Sequence, residues 1–211
     1  MKNPWEEISL DDYENHMSLD SVKQLQALNV LMKEQFDAYP VHTAMVLGVA
    51  GGNGIEHARP EKYRAVYCVD INEAYLQAVR ERYAGQPAVQ CLRADLAEEA
   101  DRLPAAELVI ANLLIEYIGY PAFTAVIRKV GPEYVSCVIQ INRDEQKWVS
   151  DSPYLHAFDG LDRVHHQMEE NALTVAMEEA GYTGILRAEE GLPNGKALVR
   201  LDYRRIVEEE L

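Results

Sequence analysis

The sequence predicts a doubly wound α/β fold, a mostly parallel sheet with helices on both faces and an antiparallel ending. Three observations carry this. Short apolar runs alternate with amphipathic stretches in units of roughly 30 residues, the period of βαβ crossovers. The first buried run leads into a glycine loop, Gly51-Gly52-Asn53-Gly54. The last two strand-like runs flank Asn194-Gly195, a hairpin signal.

Residues 1–40 read as a helical appendage to a main domain over 41–211. Ser18 is placed to cap a helix whose apolar positions Val22, Leu25, Leu28, Met32 and Phe36 step by three and four, and Pro40 ends it. Packing against the main domain is the simpler role for this stripe, and a lid over a pocket is the other. Val41–Val49 is the first strand, and Ile55–Arg59 begins a helix that Pro60 cuts short. Tyr63–Val69 is the second strand, closed by Asp70; Asn72–Tyr83 is a helix with the stripe Tyr75, Leu76, Val79 and Tyr83, and Gly85 is placed to terminate it.

Ala88–Leu92 is the third strand and Leu96–Leu103 a short helix. Leu108–Ala111 is the fourth strand, running into apolar Leu113–Ile118; Pro121–Val130 is a helix opened by proline and closed by Gly131-Pro132. Tyr134–Ile141 is the fifth strand. Residues 143–162 are irregular, and Asp162–Ala180 reads as a long helix stopped by Gly181. Gly184–Glu189 and Lys196–Tyr203 form the closing pair, and Glu208-Glu209-Glu210 is a solvated tail.

Composition narrows the function. The 211 residues carry 20 Lys+Arg against 35 Asp+Glu, a formal charge of −15, which opposes tight binding to a phosphate backbone. The longest apolar stretch is too short to span a membrane, and the acidic start resembles neither a secretory signal nor a transit peptide. Cys68, Cys91 and Cys137 lie inside apolar runs without metal-ligand spacing, as expected of small core residues in a reduced cytoplasmic protein.

The glycine loop lets a ligand approach the backbone, or merely reverses the chain. Asp70, 16 residues after Gly54, ends the second strand on the rim where doubly wound sheets bind ligands. Its carboxylate can accept both hydroxyls of a ribose. Asp95 ends the third strand on the same rim, as a further ligand contact or as a solvated cap.

Val46-Leu47-Gly48-Val49-Ala50-Gly51-Gly52-Asn53-Gly54 resembles the first motif of class I S-adenosylmethionine-dependent methyltransferases. Asp70, Asp95 and the Leu108–Ile118 strand and turn follow in that family's order, over roughly Val41 to Tyr203. The resemblance implies seven strands, the last inserted antiparallel between the fifth and sixth, and S-adenosylmethionine as cofactor. It places Ala50–Gly54, with Gly48, beneath the methionine part and ribose, and Asp70, with Ile71 beside it, at the ribose. Asp95 and Leu96 would meet adenine, and Asn112 and Leu113 the sulfonium and the acceptor. Two positions depart from the family: Gly48 stands where an acid is usual, and Ala50 where the first loop glycine is usual.

Methyl transfer from a sulfonium is an in-line displacement that needs positioning above all, and a base only where the acceptor must lose a proton. Glu116, Tyr117 and His165 are the candidate catalytic residues, with Tyr154, His156 and His166 near them in sequence. Adjacent His165 and His166 would point to different helix faces, so no metal site is expected. Asn112-Leu113-Leu114-Ile115 stands where related nucleobase-amine methyltransferases have Asn-Pro-Pro-Tyr, which with the charge points to a small-molecule acceptor. The competing readings are a nicotinamide-dependent oxidoreductase and a non-catalytic nucleoside- or protein-binding module. The first is opposed by spacing that is not G-x-G-x-x-G and by the closing hairpin.

Overall fold

The computed structural model describes residues 2–142, 149 and 152–207. Most of the irregular connection after the fifth strand and the Glu208–Glu210 tail lie outside the described residues. In chain order the elements are α1 (Leu10–Ser18), α2 (Gln24–Ala38), β1 (Thr43–Leu47), β2 (Ala65–Asp70), α3 (Glu73–Arg82), β3 (Val89–Arg93) and β4 (Leu108–Asn112). There follow α4 (Ile115–Val130), β5 (Tyr134–Ile141), α5 (Glu170–Glu179), β6 (Tyr182–Gly191) and β7 (Ala197–Arg205).

The strands form one sheet in the order β3-β2-β1-β4-β5-β7-β6. β1 through β5 pair in parallel, while β7 is antiparallel to both of its neighbours, β5 and β6. This is the seven-stranded mixed sheet expected, with the last strand inserted between the fifth and sixth. The order reverses at β1 and β4, so the crevice above their carboxyl ends is where a ligand site belongs.

Period-2 alternation gives the central strands β1, β2, β4 and β5 two buried faces. Met45, Leu47, Val109, Ala111, Cys137 and Ile139 point to one side, under Phe123, Val126 and Ile127 of α4 and Leu173 and Met177 of α5. Ala44, Val46, Val66, Cys68, Leu108 and Ile110 point to the other, under Met32 and Phe36 of α2 and Leu76 and Val79 of α3. The N-terminal segment therefore contributes side chains to the main sheet's core. In α2 the buried positions 28, 31, 32, 35 and 36 trace one helical face.

Four expected helices differ in extent, the one begun at Ile55 being only a 3-10 turn, Ile55–His57. Ser18 ends α1, which Ser9 caps by accepting the Asp12 amide, and α2 begins only at Gln24. The Leu96–Leu103 helix is reduced to a 3-10 turn at Ala100–Arg102, because Asp95 and Glu99 satisfy the local amides by side-chain caps. The expected 162–180 helix is helical only from Glu170. Before it come a 3-10 segment, Leu155–Arg163, and an extended stretch whose His166 N–H donates to the Glu116 carbonyl at 2.6 Å. That bond and the burial of Met168 draw the chain across α4 instead of into a helix.

The Pro121–Val130 helix and its Gly131 stop are present, and α4 also gains a first turn. Gly119, at φ +73° and ψ 164°, breaks α4 between that turn and Pro121. This break separates the segment carrying Glu116 and Tyr117 from the body of the helix. No helix among the described residues is long and apolar enough to cross a membrane.

Candidate functional site

A cleft lies over the carboxyl ends of β1, β2, β3 and β4, with about 1270 Å³ of open space including its mouth. Its floor comes from the loops that leave those strands: Gly48 and Ala50 after β1, Asp70 and Ile71 at β2, Asp95 and Leu96 after β3, Asn112 and Leu113 at β4. Sequence order and crossover topology thus bring eight of the expected ligand-binding residues to one cleft.

Asp70 is buried at the floor. Its Oδ2 accepts the Ala50 N–H at 2.9 Å and its Oδ1 accepts the Asn72 N–H at 2.9 Å. Burial pushes its carboxyl up to about 6, against the lowering effect of these amides. The first bond also fixes Ala50 in the left-handed region, at φ +46°. Ala50 thus adopts the backbone that a glycine would take there. Gly48 is also left-handed, at φ +65°, and a Cβ on it would lie 2.9 Å from the Leu114 side chain. The Leu114 side chain occupies the space that an acid at position 48 would need.

Gly51, Gly52, Asn53 and Gly54 do not line this cleft. A Cβ on Gly51 would meet Glu14 at 2.2 Å, and one on Gly54 would meet Met32 at 2.5 Å. Gly52 faces Tyr83, and the Asn53 amide binds the Leu25 carbonyl and Asn29. These residues let the N-terminal helices and α3 close onto the loop. A ligand is expected at these positions from the sequence, whereas the groups that approach them are helices of the chain itself.

Asn112 is at the rim, and its side-chain amide is paired with Gln35 of α2 in both directions, at 2.9 and 2.8 Å. Gln35 continues to Ser136, and Ser136 to Asp202, which also holds Arg200 and Tyr39. Leu113 follows in the left-handed region, at φ +53°, with its N–H on the Val138 carbonyl.

Glu116, Tyr117 and His165, the candidate catalytic residues, all line the cleft. Glu116 is buried, and among the described residues its Oε2 has no hydrogen-bond partner. Burial pushes its carboxyl up to about 8. Burial also raises the Tyr117 hydroxyl, and burial, with His166 and Lys196 nearby, lowers the His165 imidazole. Tyr117 and His165 meet edge-on at 5.9 Å. His166 reaches the lining, whereas His156 is an exposed partner of Asp159.

Several lining residues escaped the sequence reading. Trp5, Tyr13, His16 and Gln24 come from the N-terminal segment, and Lys196 from the start of β7. Trp5 packs on Tyr117 at 4.8 Å and on Tyr13 at 6.0 Å. The segment is fastened by Asn72 Nδ2 on the Trp5 carbonyl (2.9 Å), Tyr75 Oη on the Ile8 carbonyl (3.0 Å) and a forked Arg82–Glu14 ion pair. His16 is buried, with Nδ1 2.7 Å from Ser152 Oγ, and burial lowers its imidazole. Burial also lowers Lys196, to about 8. A lid is one of the two roles expected of this segment from the sequence, and Trp5 and Tyr13, aromatic residues in an acidic, polar terminus, were a further signal for these contacts.

No protein-family profile matches the chain, and no curated protein sequence matches it. Solved structures do match in fold. The N-methyltransferase NodS from Bradyrhizobium japonicum WM9, in complex with S-adenosylhomocysteine, superposes with a TM-score of 0.67 at 11% identity, over 98% of this chain and 100% of that one. Magnesium protoporphyrin IX methyltransferase from Synechocystis PCC 6803, with bound S-adenosylmethionine, gives 0.61 at 11% identity, over 92% and 83%. The [4+2]-cyclase SpnF gives 0.66 at 9% identity, over 88% and 83%. The chain has the fold of the class I methyltransferases, a fold that also hosts a cyclase.

Proposed function

We propose that the protein is an S-adenosylmethionine-dependent methyltransferase acting on a small-molecule acceptor. The observation that carries the reading is Asp70: a buried carboxyl at the end of β2, facing a cleft beside Gly48 and Ala50, in a sheet of this strand order. The donor set suits a nucleoside. Asp70 offers oxygens to a pair of ribose hydroxyls, and Ile71 and Leu96 offer apolar surface to a purine with Asp95 at its edge. Gly48 brings bare main chain to the cleft, close against the Leu114 side chain, for the amino-acid end. The departures at positions 48 and 50 do not spoil this fit, because Ala50 takes the backbone form of a glycine.

When bound, the cofactor supplies a methyl group already activated on sulfur, transferred by in-line displacement. The chain's work is then to orient and to exclude water. Asn112, held by Gln35, fixes the turn at Leu113 on the transfer side of the cleft. The N-terminal cover, through Trp5 and Tyr13, shields it from solvent. Once ionised, Glu116 can take a proton from an acceptor and hold it, since burial raises its carboxyl to about 8. Tyr117 and His165 line the cleft with it, His165 as a neutral imidazole. The −15 charge and the absence of Asn-Pro-Pro-Tyr favour a small acceptor over nucleic acid.

Thermal unfolding with S-adenosylmethionine, S-adenosylhomocysteine and NAD tests the reading. Stabilisation by the first two, abolished in Asp70→Ala, is expected. Stabilisation by NAD alone would replace it with an oxidoreductase, and no response to any of the three would leave a binding module of another kind.

A further inference from the structure

Glu116 is a buried carboxyl that lines the cleft, yet among the described residues one of its oxygens has no hydrogen-bond partner. Leaving such an atom unsatisfied is costly, and native proteins rarely do so without a use for it. Its surroundings are aromatic. Tyr13 and Tyr117 line the same cleft, Tyr117 as its neighbour in the chain. Trp5 packs edge-on against both rings, at 6.0 and 4.8 Å. Ring faces and a carboxylate are the two groups that attract an organic cation, and removal from water strengthens both.

We propose that Glu116, with the rings of Trp5, Tyr13 and Tyr117, binds the ammonium group of an amine-bearing acceptor. The inference rests on the reading of the cleft as a methyltransferase site and names the substrate class for it. Among the described residues, Glu116 Oε2 has no hydrogen-bond partner, so an entering ammonium has no existing bond to displace there. The carboxyl is neutral near pH 7 in the empty protein, since burial holds it at about 8. Binding an ammonium ion must therefore drive the Glu116 proton to solvent, leaving a carboxylate–ammonium pair. A neutral hydroxyl ligand of the same shape would release none. Before a methyl can be added, the ammonium must pass one proton to the Glu116 carboxylate and so free its lone pair. The methylated product is again a cation, and the rings still attract it because cation–π binding does not need an N–H.

The test is calorimetry on the full chain at neutral pH, with and without S-adenosylhomocysteine, in phosphate and in Tris. The probes are methylamine and benzylamine, with benzyl alcohol as the uncharged counterpart of the latter. Benzylamine is expected to bind about tenfold or more tighter than benzyl alcohol and to release about one proton, read from the buffer dependence of the heat. Glu116→Gln, which keeps the side-chain volume, is expected to remove both effects while its circular dichroism and S-adenosylhomocysteine affinity stay unchanged. Equal binding of amine and alcohol would overturn the proposal, as would unchanged amine binding and proton release in Glu116→Gln. A Glu116→Gln variant that instead loses affinity for S-adenosylhomocysteine would show that the carboxyl serves the cofactor's own ammonium, which also overturns it. Amine discrimination without S-adenosylhomocysteine binding would leave this site standing and sink the methyltransferase reading.

Discussion

Gln35, on the second N-terminal helix, and Asn112, at the end of the fourth strand, exchange two amide hydrogen bonds of 2.9 and 2.8 Å. Gln35 is fully buried and also reaches Ser136 at 2.9 Å. One side chain therefore ties the N-terminal segment to the strand end that forms the cleft rim. Gln35→Met fills the volume but leaves Asn112 and Ser136 short of partners. A loss of about 1–3 kcal/mol in urea unfolding is expected, the usual cost of orphaning buried polar groups. Adding Asn112→Leu should then cost less than it does in the wild type, because the pair acts as a unit.

The glycine loop makes two opposite predictions. Ala50 sits at φ +46°, where an L side chain is strained and glycine is not. Ala50→Gly should stabilise the protein by up to about 1 kcal/mol, less the entropy glycine adds to the unfolded chain. Gly54→Ala meets both a positive φ of +88° and Met32 Cβ at 2.5 Å, and the Met32 backbone end cannot swing away. It should destabilise by about 2 kcal/mol or more, visible as a melting temperature lower by several degrees.

Glu116 makes stability depend on pH in an unusual direction. Its carboxyl titrates near 8 in the folded chain and near 4.5 when exposed, so between those values the folded state holds a proton that the unfolded state has released. Stability must then fall as pH rises through that window, with the full penalty reached above about pH 8. Asp70 adds the same trend below about 6. In urea unfolding, the wild type should lose stability from about pH 6.5 to 8 relative to Glu116→Gln. Parallel pH profiles for the two proteins would show that the carboxyl is not buried as described.

Much of the fold was legible because buried parallel strands are uniform apolar runs and their crossovers carry helical stripes. β1 is buried along its whole length, and the Asn194-Gly195 turn marked the antiparallel ending. The cleft floor followed from topology, since Gly48, Asp70, Asp95 and Asn112 each sit at the end of a strand. What stayed hidden depends on contacts distant in sequence. Trp5 and Tyr13 reach the site only through bonds to Asn72, Tyr75 and Arg82. The helix expected from Asp162 is interrupted by one backbone bond, His166 to Glu116, which no local propensity records. Gly51 and Gly54 announced a tight approach without saying that α1 and α2 make it.

The central claim is that Asp70 anchors the ribose of an adenosyl cofactor. Calorimetric titration of wild type and Asp70→Ala with S-adenosylhomocysteine measures it most directly. The wild type should bind, with affinity rising from pH 5 to 7 as the carboxyl ionises past about 6. Asp70→Ala should bind about tenfold to a hundredfold more weakly, the worth of charge-assisted hydrogen bonds to one carboxylate, with its pH dependence gone. Equal affinity in the two proteins, or no binding by the wild type, would contradict the account.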